Sequence, residues 1–107
     1  MHTTFNALAE PNRMRIVELL REGPLAVGEI ADRLELRQPQ TSKHLKVLAN
    51  SGLLEAKPEA NRRIYGLKRE PFEELDEWLS TFRRTMETRL DNLAAYLEKL
   101  QDKQPGG

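Results

Sequence analysis

Cysteine is absent from the 107 residues, which removes disulfides, thiol nucleophiles and thiolate metal sites together. Histidine is nearly as scarce, at His2 and His44 only. A tight zinc site wants about four N or S ligands, so no metal ligands are assigned. Aromatics make up 6% and charged residues 32%, a balance that suits a helix-rich chain better than a β-sandwich. No apolar run approaches the roughly 18 residues of a membrane span, and the N-terminus has no apolar signal segment. The expectation is a cytoplasmic protein with no membrane partner. With no glycine-rich phosphate loop and no nucleophile–His–acid set, neither an enzyme nor a cofactor is expected.

Net charge is also zero, yet its distribution is uneven. Residues 37–69 hold eight Lys/Arg against two acids, a balance of +6, while residues 70–107 stand at −4. Local sign decides which surface meets phosphate. The length leaves room for one domain with a modest core.

"TTFNALAE" reads as a short helix showing Phe5, Leu8 and Ala9 on one side. Pro11 fits the first turn of a second, "PNRMRIVELLRE", with Met14, Ile16, Val17, Leu19 and Leu20 inside and Gly23 just past its end. "LAVGEIADRLEL" reads as a third, with Val27, Ile30, Ala31 and Leu34 at helical spacing but no capping residue. A fourth begins near Gln38, because Pro39 belongs in a first turn, and Gly52 ends it. Its inward stripe is Thr41, Leu45 and Leu48, while Gln40, Lys43 and Val47 point the opposite way. Two short helices joined by a tight turn, the second with a polar front, make a helix-turn-helix. "LLEAKPEANRRIYGLK" then reads as a β-hairpin with Lys57, Arg62 and Arg63 near its tip and Ile64 and Tyr65 in its core. From Glu70 to Asp102 apolar residues recur by threes and fours. A helix of that length, roughly 50 Å at about 1.5 Å per residue, exceeds what so small a domain covers, so part of the stripe is expected to pack on another chain.

The expected class is therefore mainly α with a small β-hairpin wing, in the order α-α-α-α-β-β-α. Residues 1–102 are expected to form one domain with helices at both ends, about 2–9 and 70–102, and 103–107 a disordered tail.

With "SKHLKVLANSGLLEAKPEANRRIYGL" at its centre, this order resembles the ArsR/SmtB family of bacterial transcriptional repressors. The likeness runs from "FNALAEPNRMRIVELL" through the hairpin, and "QPQTSKHLKVLANSGLL" is fairly specific to it. It implies a winged helix-turn-helix homodimer, paired through its first and last helices, that represses by occupying a palindromic operator in double-stranded DNA. Many members sense metals, and here the chain departs. One site type places cysteines in the third helix, where this chain has "PLAVGEI"; another draws Asp, His and Glu from the last helix, which here has no histidine. Whether a small-molecule or protein effector replaces the metal is open.

Major-groove base edges are read by side chains offering paired donors and acceptors, which singles out Gln38, Gln40 and Lys43, with His44 behind them. The plainer reading is that Gln38 or Gln40 caps the helix and that His44 packs across the turn. Ser42, Lys46 and Thr41 suit phosphate, as do Arg37, standing where family members often carry a serine cap, and Lys57, Arg62 and Arg63 of the wing. An arginine of the wing also suits a narrow minor groove. Phe5, Leu8, Trp78, Phe82, Met86, Leu90 and Leu93 are the interface candidates, some of them shared with the monomer core. The rival from another class is a winged-helix module that holds a protein partner and has no operator.

Overall fold

The computed structural model describes residues 1–103. Contacts divide it into Met1–Glu74 and a second unit from Leu75 onward. Two short helices open the first unit, α1 (His2–Leu8) and α2 (Pro11–Leu20). Glu10 caps α2 by accepting the Arg13 N–H at 2.8 Å. The Arg13 guanidinium donates to the carbonyls of Ala7 (2.6 Å) and Asn6 (3.2 Å), satisfying the end of α1 and fastening it to α2. The inward residues of α1 are Thr4 and Ala7, with Leu8 packed against the core. That corrects the expected face: Phe5 is 42% exposed and Ala9 lies outside, because the small Thr4 and Ala7 let α1 lie close to its neighbours. Met14 is corrected too and is exposed. The five apolar residues of α2 spread over most of its circumference, and Ile16, Val17 and Leu20 take the core side.

After Gly23 the chain does not enter a helix at once. Leu25 and Ala26 form β1, and α3 (Val27–Leu34) follows. Glu29 accepts the Ala26 N–H at 3.2 Å, supplying the start of α3 with the reciprocal half of a capping box. α3 ends on Glu35, held at φ 56°, with the Leu36 N–H bonded to the Ala31 carbonyl at 2.9 Å. This is a Schellman closure built without glycine. α4 (Gln38–Asn50) starts three residues later and ends in a second one. There Gly52 sits at φ 82° and the Leu53 N–H reaches the Leu48 carbonyl at 3.0 Å; Leu48 and Leu53 are both fully buried.

β2 (Leu54–Glu59) and β3 (Arg62–Leu67) pair antiparallel from Leu54↔Leu67 to Glu59↔Arg62, leaving a two-residue loop, Ala60-Asn61. β1 joins the other side of β3 through Leu25↔Tyr65 and Ala26↔Ile64, so the sheet order is β1-β3-β2. Pro58 lies inside β2 and not in the turn, which an edge strand tolerates. The observed order is thus α-α-β-α-α-β-β-α, with one strand more than expected. The core of this unit joins Ile16, Val17, Leu20, Ile30, Leu45, Leu48, Leu53 and Leu54, with Tyr65, Leu67 and Phe72 against it. α5 (Arg69–Lys103) runs unbroken for 35 residues, about 50 Å. Lys103, assigned to the tail from sequence, closes that helix; the rest of the expected tail lies outside the described residues.

Candidate nucleic-acid interface

α4 carries the densest set of candidates, and its packing sorts them. Thr41, Leu45 and Leu48 are each 0% exposed and pin one side of the helix to the core. Gln38, Gln40, Ser42, Lys43, Lys46 and Val47 are exposed. Gln40, Lys43 and Val47 follow one another at i, i+3 and i+7 and so share the side facing away from the core. No side chain caps the helix and no acid stands in its first turn. Neither glutamine therefore acts as a cap, and the positive end of the helix dipole is left unneutralised.

Two candidates move inside. Thr41 donates its hydroxyl to the Arg37 carbonyl at 2.9 Å, and a fully buried, bonded hydroxyl does not reach phosphate. His44 is half-buried, with Nδ1 3.6 Å from the Glu10 carboxylate of the α2 cap, too far for a hydrogen bond. Its Nε2 is buried without a partner. The ring faces the protein, which corrects its placement as a base reader. Val47 enters in their place. It is 39% exposed beside Gln40 and Lys43, and the signal was present in the sequence as an apolar residue in the polar row.

Arg37 is exposed and free of capping duty. On the wing Lys57, Arg62 and Arg63 are exposed. Lys57 lies 3.7 Å from Glu55, and Arg62 turns back to Glu29 at 3.2 Å, so both charges are partly met within the chain. Such solvated pairs are weak and open readily to a phosphate. Among the described residues Lys43, Lys46 and Arg63 make no ion pair. Nor does any group of three or more His, Asp or Glu side chains there stand where it would hold a metal.

Of the interface candidates, Phe5 and Leu8 stand as described for α1. On α5, Trp78 is half-buried and meets the Phe82 ring edge-on, 4.7 Å between centroids. Phe82, Met86, Leu90 and Leu93 are exposed. No described helix is long and apolar enough to cross a membrane.

Comparison with known proteins gives this geometry its context. A helix-turn-helix domain family model matches residues 8–56. The chain is 48% identical over 63 residues to the HTH-type transcriptional regulator Rv2034 of Mycobacterium tuberculosis, 59% of each chain, so it spans less than two thirds of that relative. To the uncharacterized HTH-type transcriptional regulator Rv0081 of the same organism it is 34% identical over 98 residues, covering 91% of this chain and 83% of the relative. Among structures it is similar to the ArsR family transcriptional regulator RHA00566, with TM-score 0.70 and 29% identity over 80% of this chain and 94% of the other. It is also similar to the homodimeric winged helix-turn-helix DNA-binding domain Mb0332 of Mycobacterium bovis, with TM-score 0.65 and 29% identity over 78% and 77%.

Proposed function

We propose a function from one premise: the chain belongs to the ArsR/SmtB-type family of winged helix-turn-helix, DNA-binding transcriptional regulators. On our reading it acts as a homodimer that represses transcription by lying on a palindromic operator. The two α4 helices enter successive major grooves about one helical turn apart. Gln40 and Lys43 read base edges, with Gln38 at the groove's rim; Gln suits adenine N6 and N7, and Lys suits guanine O6 or N7. Val47 meets a thymine methyl. Arg37, Ser42, Lys46, Lys57, Arg62 and Arg63 hold phosphates and set the register.

The observation that carries this reading is the division of α4: three residues fully buried on one side, and an uncapped, acid-free front with an exposed Gln40–Lys43–Val47 row on the other. A helix serving only to pack has no use for that row. The homodimer draws support from the description of the M. bovis domain and from the exposed stripe of α5.

Fluorescence anisotropy on a random-sequence duplex across a salt series tests the DNA contact. Counterion release makes log affinity fall linearly with log salt, so that affinity drops about 10³–10⁵-fold between 50 and 200 mM for six to ten phosphates. Weak binding at every salt would favour a protein-holding module instead.

A further inference from the structure

Adjacent residues of a strand point to opposite faces, so Arg62 and Arg63 of β3 serve different sides of the wing. Arg63 makes no ion pair among the described residues, whereas the Arg62 guanidinium donates to Oε1 of Glu29 at 3.2 Å. The same Oε1 accepts the Ala26 N–H at 3.2 Å and so closes the first turn of α3. One carboxylate oxygen thus joins the end of β1, the start of α3 and the wing. β1 stops at Ala26, opposite Ile64, and Arg62 lies beyond that pair, toward the hairpin loop. The bond to Glu29 therefore ties back a part of the hairpin that β1 does not reach.

An exposed ion pair is weakened by the entropy of ordering two long side chains. Here the cap already holds the Glu29 side chain, so Arg62 alone is left to order. Lys57, by contrast, meets Glu55 of its own strand at 3.7 Å, and that pair travels with the wing. We propose that Glu29 is a built-in competitor for DNA: its carboxylate occupies Arg62 in the free protein and is exchanged for a phosphate when the wing engages duplex. This rests on the DNA-binding reading above and adds to it a residue that lowers affinity. The phosphate contact of Arg62 then yields only the difference between two anionic partners. A phosphate contact carries no sequence information, so Glu29 weakens binding to operator and random duplex alike. Arg63 is left as the wing arginine that acts without a competitor.

Glu29→Gln tests this in the full-length chain, because a glutamine oxygen still accepts the Ala26 N–H while the negative charge is gone. Arg62→Ala, which leaves that cap untouched, supplies the second arm. Both are read by anisotropy on a random-sequence duplex across a salt series. Glu29→Gln should tighten binding about two- to five-fold at low salt, the range of an exposed pair. It should also steepen the slope of log affinity on log salt by up to about 0.9, one further phosphate. Made in an Arg62→Ala chain, Glu29→Gln should lose most of both effects. An undiminished gain in that background would reveal plain repulsion between Glu29 and the duplex and overturn the proposal. Unchanged binding by Glu29→Gln alone would overturn it as well. So would weaker binding, which would mean that the pair holds the wing ready for DNA. Failure of the unaltered chain to bind duplex even at 50 mM salt would remove the DNA reading itself, and the competitor with it.

Discussion

Lys43 and Lys46 stand three residues apart on α4, both exposed and without an ion pair among the described residues, yet we assign them different work. Lys43 belongs to the row with Gln40 and Val47, whereas Lys46 lies to its flank. A base contact carries sequence information and a phosphate contact does not. Gln40→Ala and Lys43→Ala should each cost about 1–3 kcal/mol on the operator. Their loss on random duplex should be much smaller, and Lys46→Ala should weaken both DNAs alike. Anisotropy titrations on the two duplexes decide it; equal losses for Gln40→Ala would end its assignment to base reading. Thr41 gives the contrasting case. Thr41→Val replaces a buried hydroxyl, bonded to the Arg37 carbonyl at 2.9 Å, by a methyl. The expected result is a fall of about 1 kcal/mol in unfolding free energy, read by urea denaturation, with DNA affinity per folded molecule unchanged.

Between α3 and α4 the whole turn is Glu35, Leu36 and Arg37, and its first residue sits at φ 56°. A left-handed residue with a Cβ is strained by roughly 1–2 kcal/mol, and glycine is not. Glu35→Gly should therefore raise stability by about 1 kcal/mol in chemical denaturation while α4 keeps its place; a fall would show that the glutamate side chain has a role beyond closing the helix. This turn also shows where sequence reading stops. Pro39 and Gly52 punctuate α4 at both ends, so its bounds and its inward stripe were legible. Glu35 hid its conformation because nothing in a glutamate announces a left-handed residue. β1 was illegible for a related reason: two residues are too few to display an alternation, and "LAVGEI" continues smoothly into helical spacing. α1 has only seven residues, too short for its spacing to separate the Thr4–Ala7 side from the Phe5 side. That most of the proposed DNA contacts are exposed followed from charge and polarity alone. The inward turn of His44 was legible only as one of two readings, since nothing local to α4 chooses between them.

For the molecule as a whole, specificity in the proposed dimer is a matter of two reading heads on one duplex. Once one α4 of a dimer is bound, the second binds at an effective concentration set by the connection, which raises affinity by about 10²–10⁴ over a single head. The apolar stripe of α5 supplies that connection in our proposal. Truncation after Ser80 removes Phe82, Met86, Leu90 and Leu93 but leaves Met1–Glu74, whose core contains none of those four residues. The shortened chain should keep the circular dichroism of its remaining helices, run as a monomer in light scattering, and lose at least about 100-fold in operator affinity. Its binding to random duplex should persist with a shallower salt slope, because fewer phosphates are neutralised per bound molecule. These two readouts separate loss of pairing from loss of the head. A truncated chain that stays dimeric would place the interface elsewhere, with exposed Phe5 of α1 the next residue to test. A truncated monomer that binds the operator as tightly as the full chain would show that one α4 suffices, and the palindrome would then have no mechanical basis.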